Sequence, residues 1–432
     1  MAKANPKTGD HGIAVRDDFD ASSLPATWTI AGFDQTIVKG RIKIGKVQAS
    51  DYLPSGTYPI VDQGQKSIAG YSNDATGVYE DRLPVIVFGD HTRIFKYVDF
   101  PFVAGADGTQ ILLPNDEEFH PRFLFYAYCF LSIPSRGYNR HFTLLKQKRI
   151  PKPPIEEQRA IAGVLRTVQR ATEATEKLIS AARQLKQSLM RHLFTYGPVS
   201  FQEADQVELQ ETAAGTIRVE WEVTTLGNLF SIKHGYAFKS KFFNSNGDLV
   251  LLTPGHFYDE GGFRDQKEKT KYYTGEVPDG YLLKKGDLLV AMTEQSPGLL
   301  GSPVVIPDSN RFLHNQRLGL VQGIDESRTL SGFLFHLFNT PTIRNEISSN
   351  STGTKVKHTS PTKIGAISAL LPSVREQEQI TTMLDTVGTM QATYLKRMTA
   401  LEILFESLLH ELMTGQRRVH DLGLAFTEEE AA

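Results

Sequence analysis

Ile150-Pro-Lys-Pro-Pro-Ile-Glu-Glu-Gln158 sets a proline-rich run directly before a long charged, amphipathic segment. The pattern returns about half the chain later, as Leu370-Leu-Pro-Ser-Val-Arg-Glu-Gln377. Between Ile155 and Phe194 there is no proline, and Gly163 is the one glycine. Such a stretch predicts ~40 residues of helix, or roughly 60 Å at 1.5 Å per residue. Proline suits the helix start and not its interior, and the Glu156-Glu157 pair suits the positive end of the helix dipole.

Heptads can be counted through both copies. With Ile161 at position a, the a and d residues are Ile161, Val164, Val168, Ala171, Thr175, Leu178, Ala182, Leu185, Leu189 and His192. The second copy gives Ile380, Met383, Val387, Met390, Tyr394, Arg397, Leu401, Leu404, Leu408 and Glu411. Thr175, His192, Arg397 and Glu411 depart from the apolar rule. Position e is apolar at Leu165, Ile179, Leu193, Leu384, Met398, Phe405 and Leu412. That stripe is wider than a two-stranded seam requires, so the helices are expected to pack on each other and to offer a further surface to globular domains or a partner.

The repeat extends beyond the helices. The two tryptophans open comparable segments, Trp28-Thr-Ile-Ala-Gly-Phe33 and Trp221-Glu-Val-Thr-Thr-Leu226. Ahead of each long helix sits a second matched pair, Gly137-Tyr-Asn-Arg-His141 and Gly353-Thr-Lys-Val-Lys-His358. Between them, runs such as 57–61, 83–88, 249–252, 287–292 and 303–306 read as strands broken by turn residues. Helical runs Arg122–Leu131 and Leu330–Asn339 close each globular segment. The expected fold is α+β: two β-rich domains alternating with two long helices that pair as an antiparallel coiled coil in a pseudo-twofold internal repeat. The expected divisions are a first β-rich domain over 1–150, a long helix over 151–198 and a polar linker over 199–218. A second β-rich domain over 219–370, a long helix over 371–418 and a tail over 419–432 follow.

Composition narrows the function. A chain of 432 residues is too long for one ordinary core. A net charge of −2 excludes a polycation, but Arg140, Lys146, Lys148, Arg149 and Lys152 form a local basic run without acids. Lys39, Arg41, Lys43 and Lys46 form another, whose alternation predicts one charged strand face. The longest apolar run, Phe123 to Ile133, is short of the ~20 residues that span a bilayer, and the N-terminus lacks a signal-peptide core. A cytoplasmic protein is expected. The single cysteine, Cys129, excludes internal disulfides and a Cys-based zinc site; its aromatic surroundings predict burial. The chain has no Gly-x-x-x-x-Gly-Lys-Ser/Thr loop, no Asn/Asp-Pro-Pro-Tyr/Phe run and no His-Glu-x-x-His motif. A duplicated scaffold without these motifs favours recognition over catalysis.

Pro-Pro-Ile-Glu-Glu-Gln leading into a long helix resembles the specificity subunit of Type I restriction-modification systems. So do the Gly-Tyr-Asn-Arg-His-Phe run before it and Gly235-Tyr-Ala-Phe-Lys-Ser240 after a Trp-led segment. The resemblance covers nearly the whole chain, twice over; Pro-Ser-Val-Arg-Glu-Gln in the second half departs mildly. It implies a non-catalytic, DNA-binding subunit whose two domains each read half of a split site in double-stranded DNA. The helices would act as a ruler and dock two methyltransferase subunits, with restriction/translocase subunits joining through the complex. No cofactor is implied in this chain; S-adenosylmethionine, ATP and Mg would belong to the partner subunits. A non-catalytic protein-interaction scaffold is the alternative.

Phosphate contact needs cations, whereas base reading needs amide, guanidinium or carboxyl groups at groove edges. The matched loops supply Arg140, His141, Lys355, Lys357 and His358 as phosphate candidates. Loops between strands supply Gln63, Gln65, Lys66, Tyr71, Asn73, His91 and Arg93 in the first domain. In the second they supply His234, Tyr236, Lys239, His256, Thr293, Glu294, Gln295, Asn315 and Arg317.

Overall fold

The structure, a computed structural model, describes residues 18–423 apart from 41, 43, 107, 136, 138 and 296. Arg41 and Lys43 of the second basic cluster, Tyr138 of the first matched loop and the end of the expected tail therefore lie outside the described residues. The chain forms two compact units. The first holds residues up to Lys177 together with those from Lys396 onward; the second holds Leu178–Leu395. Each long helix, Ile155–Tyr196 and Val374–Met413, thus contributes one half to each unit.

In the first unit the opening of one long helix packs with the closing turns of the other. Ile161, Leu165 and Val168 share a core with Leu408, Leu412 and Met413. In the second unit Leu189, Leu193 and Phe194 share a core with Ile380, Leu384 and Val387. Start accompanies end in both, which is the antiparallel pairing expected.

The seam is not the a/d seam of a simple coiled coil. Positions e (Leu165, Leu193, Leu384, Leu412) are fully buried in the domain cores, so the globular domains take up the further surface. Thr175 and His192, the apparent departures in the first helix, are buried too, because Thr175 Oγ1 donates to Ala171 O at 2.7 Å and His192 Nε2 to Val199 O at 2.8 Å. The d positions Leu178 and Leu185 are instead exposed at 40% and 45%, as are Met383 and Leu404. These four face outward, while Val164 and His192, also at d, stay buried.

One plan builds both units. The Trp-led strand Thr29–Gly32 pairs antiparallel with Arg149–Lys152, the strand that runs directly into the first long helix. Glu222–Thr225 pairs in the same way with Ser368–Leu371, ahead of the second. Each unit also has a central strand buried on both faces. In Val85–Gly89, Ile86 and Phe88 face the helical core, whereas Val85 and Val87 face a second core with Val61, Phe102 and Ala104. In Leu288–Ala291, Leu288 and Val290 face the helices, and Leu289 and Ala291 face a core with Val304, Ile306 and Phe312. Burial on two faces explains the unbroken apolar runs, since successive side chains alternate.

The Glu-Gln of the repeated motif is the joint. Gln158 is fully buried. Its amide N–H groups donate to Glu118 O at 3.2 Å and Pro153 O at 2.9 Å, and its Oε1 accepts from His120 N at 2.8 Å. His120 caps the helix Pro121–Phe130. Gln377 is as buried and donates to Arg328 O and Pro372 O, while its Oε1 accepts from Leu330 N at 3.0 Å, the cap of the helix Ser331–Phe338. A buried amide with its groups satisfied can bind three chain segments in a low-dielectric site.

Two expectations are corrected. Residues 199–218 are not an open linker: Leu209–Thr212 and Gly215–Arg218 form a hairpin that buries Ala214 and Ile217 in the core of the second unit. Cys129 has an exposed surface, because the helix Pro121–Phe130 buries residues 122–128 and its last turn emerges, although the dense packing around that turn still pushes its thiol up to about 12. Of the second basic cluster, Lys46 opens the strand Lys46–Val47, and its Nζ points to Thr109 O at 3.5 Å. Among the described residues no helix is long and apolar enough to cross a membrane, and no group of three or more His, Cys, Asp or Glu could hold a metal ion.

Candidate nucleic-acid interface

In the second unit the loops after the central strand gather several of the expected residues. His256, Thr293, Glu294, Gln295 and Arg317 line one cleft of about 450 Å³. Gln266, Lys269 and Lys271 line it as well. Sequence reasoning missed these three, although the run Lys267-Glu-Lys-Thr-Lys271 is visibly charged.

Two of the cleft candidates are not available as base readers in this structure. Glu294 is 5% exposed, and its Oε2 accepts the backbone N–H groups of Gly298, Leu299 and Leu300 at 3.1, 3.0 and 2.9 Å. His256 is 2% exposed. Its Nδ1 accepts from Thr253 N at 3.1 Å, which places the ring proton on Nε2. Burial lowers its pKa, so the ring is neutral near pH 7. Gln295 and Arg317 stand exposed beside them, and Thr293 is half-buried.

His234, Tyr236 and Asn315 form a second group. Gly235 lies so close to Asn315 that a Cβ would sit 1.9 Å from its carbonyl oxygen, and only glycine fits there. Tyr236 is packed between Phe238 and Tyr281 with ring centroids at 5.1 and 5.4 Å, so it serves the core. His234 and Lys239 remain exposed.

In the first unit Gln63 Oε1 accepts from His91 N at 3.1 Å, tying two candidates together at the end of the central strand. Arg93 has φ 65 and donates Nη1 to Ile133 O at 2.8 Å, so its guanidinium is partly committed. Tyr71 and Asn73 lie elsewhere. Tyr71 is in the strand Gly70–Ser72, and Asn73 Oδ1 accepts from Thr57 N at 3.0 Å in a turn. Gln65 and Lys66 are exposed, with the Lys66 carbonyl accepting from Lys96 Nζ at 2.6 Å.

The matched loops diverge at their histidines. His141 is fully buried, and its Nδ1 donates to Asp90 O at 2.9 Å, which removes it as a phosphate contact. His358 is exposed. Arg140 is 77% exposed and Lys355 is exposed, whereas Lys357 is half-buried and donates to Ser348 Oγ at 3.0 Å. Two cations of the basic run before the first long helix are spent internally. Lys148 pairs with Asp18 at 2.6 Å, and Lys152 pairs with Glu118.

Comparison with known proteins agrees with this geometry. The family model described as "Type I restriction modification DNA specificity domain" matches residues 36–184 and again 218–401. The chain is 25% identical over 296 residues to the Type I restriction enzyme MjaVIII specificity subunit of Methanocaldococcus jannaschii, covering 63% of each chain. It is 28% identical over 221 residues to the EcoR124I/EcoR124II specificity subunit of Escherichia coli, covering 48% of this chain and 50% of that one. These matches span half to just under two thirds of the relatives' length. The crystal structure of a Type-I restriction-modification system S subunit from M. genitalium shares the fold, with a TM-score of 0.61 at 16% identity over 92% of this chain and 98% of that one. The repeated joint, the twin domains and the double match lead to one conclusion: the chain belongs to the Type I restriction modification DNA specificity family and carries its domain twice.

Proposed function

We propose that the chain is the non-catalytic specificity subunit of a Type I restriction-modification complex, reading a bipartite site in double-stranded DNA. The observation that carries this is the duplicated unit. Each one sets polar and basic loops at the end of a doubly buried central strand and locks that domain to a long helix through a buried glutamine. A rigid scaffold under exposed loops is what sequence reading requires.

The antiparallel helices would set the distance between the half-sites. Half-sites about one turn apart, ~34–36 Å, allow two domains to reach one face of a duplex. Methyl transfer and ATP-driven cleavage would reside in partner subunits, which would supply S-adenosylmethionine, ATP and Mg sites. The exposed apolar residues Leu178, Leu185, Met383, Ile403 and Leu404 on the long helices are the candidate docking points for methyltransferase subunits. Exposed leucines flanked by Arg183 and Lys186 are unlike an ordinary solvated helix face.

Co-expression with the methyltransferase subunit tests the reading. The expected outcome is a stable complex that binds one duplex sequence in a salt-sensitive manner. A complex that binds only protein would favour the scaffold alternative, and methyl transfer by the isolated chain would contradict a non-catalytic role.

A further inference from the structure

We propose that Asp90 is a positioning residue: a buried carboxylate that fixes the loop carrying Arg140 so that this cation meets a DNA phosphate. The proposal rests on the DNA-binding reading above and assigns a device to it.

Asp90 directly follows the central strand of the first unit and is 2% exposed. Its Oδ1 accepts the backbone N–H groups of His141 and Phe142, both at 2.7 Å. Its main-chain oxygen accepts from His141 Nδ1 at 2.9 Å. The loop before the first long helix is thereby pinned at its base on both sides of the His141 peptide. Arg140 Nε stands 4.0 Å from Asp90 Oδ2, with the side chain 77% exposed. That separation is too long for a tight bidentate pair, so most of the five guanidinium donors face outward.

The second unit holds its basic loop by strand pairing instead. Glu294 lies just beyond the central strand and spends Oε2 on the backbone N–H groups of its own loop, Gly298, Leu299 and Leu300. Its Oε1 faces Lys357 Nζ at 4.0 Å. The strand Thr293–Glu294 pairs with Lys357–His358, so the basic loop is again stitched to the same place. Gly353 turns that loop at φ +102, where a Cβ would lie 2.1 Å from Val356 O. Lys355 projects from it into solvent.

A buried carboxylate is costly to desolvate and is weak evidence of stabilisation in itself. Asp90 spends its charge on the amides of the loop that carries Arg140, which points to a task in placing that loop. The carboxylate charge is satisfied mainly by backbone amides, which leaves the cation's own donors for an anion. Fixing the root of the cationic side chain in advance lowers the ordering cost of a phosphate contact.

The test uses the chain assembled with its methyltransferase subunits. The probes are a duplex carrying the sequence whose methylation depends on this gene and the same duplex with one base pair changed. Binding is measured across salt concentrations for wild type, Arg140→Ala, Asp90→Ala, the double variant and Asp90→Asn. Arg140→Ala and Asp90→Ala are each expected to make the slope of log K against log salt shallower by ~0.9, the value for one phosphate. Both should weaken the two duplexes about tenfold alike. The double variant should lose no more than either single one, and Asp90→Asn, which keeps an oxygen acceptor for the loop, should restore the slope. A wild-type slope in Asp90→Ala, or additive losses in the double variant, overturns the proposal. If Asp90→Ala does not assemble, Asp90→Ser, whose side chain is too short to hold both loop amides, decides it by the same criteria. A wild-type complex without salt-sensitive binding strikes down the DNA-binding reading itself, and the proposal with it.

Discussion

Trp28 donates its indole N–H to Glu157 Oε2 across 2.9 Å, joining the first strand of the chain to the first turn of the first long helix. Arg418, beyond the end of the second long helix, pairs with the same carboxylate, its Nη2 2.8 Å from Oε2. The second unit repeats the arrangement. Trp221 donates to Glu376 Oε1 at 3.2 Å, and Arg218, from the hairpin that follows the first long helix, lies 3.4 Å from the same oxygen. Each repeat therefore lends the arginine after its helix to the tryptophan and glutamate of the other repeat. Glu157→Ala should cost about 2–3 kcal/mol, the range for hydrogen bonds to a charged group whose removal leaves partners unmet. The urea midpoint of the full chain measures this, and Glu157→Gln, which keeps an acceptor for Trp28, should lose less.

The glutamine that follows is predicted to matter more than its neutral side chain suggests. Gln158→Ala would leave the His120 N–H and two carbonyls in a buried site without their partner. A loss of about 2 kcal/mol is expected, and Gln377→Ala should match it in the second unit. Thermal unfolding of both variants checks the equivalence.

Much of this plan was legible in the sequence because it is built from local rules. Proline before a helix, a long apolar stripe and paired tryptophans all leave patterns at fixed spacing. The role of Gln158 was not legible, since its partners Glu118 and His120 are set by tertiary packing. Periodicity also misassigned part of the seam: it placed Leu178 and Leu185 inward by heptad count, whereas the domains draw positions e inward and leave these two d residues exposed. The candidate site was the least legible part. Glu294 and His141 are the kinds of residue that contact DNA, and only burial shows them to be held inside. Residues 199–218 looked like a linker because one apolar side chain, Ile217, carries most of the anchoring.

The outward row can be tested directly. Leu178→Ser and Leu185→Ser should change stability by less than about 0.5 kcal/mol, as for other exposed positions. Capture of the methyltransferase subunit should nevertheless weaken more than tenfold in the double variant. Unchanged capture, measured by titration of the partner, would remove these leucines from the docking surface.

Acid should weaken the fold through two histidines. Burial, the main cause, and nearby cationic side chains lower His120 to about 4, and burial likewise lowers His314 to about 4. In the unfolded chain both titrate near 6.5. Above pH ~6.5 neither state binds the proton and stability is intact. Between about 6.5 and about 4 the unfolded state binds more protons, so stability falls as pH drops. His314→Asn should flatten the dependence of the urea midpoint on pH across that window; an unchanged profile would show that other groups govern it.

The central claim is that one chain reads two half-sites for a methyltransferase. Mapping methylated bases across the source genome, with the gene intact and with it deleted, tests this most directly. The account predicts that deletion abolishes methylation at a single motif made of two short specified blocks separated by a fixed number of unread base pairs. Methylation that is unchanged by deletion, or lost at one continuous block without a gap, would contradict it.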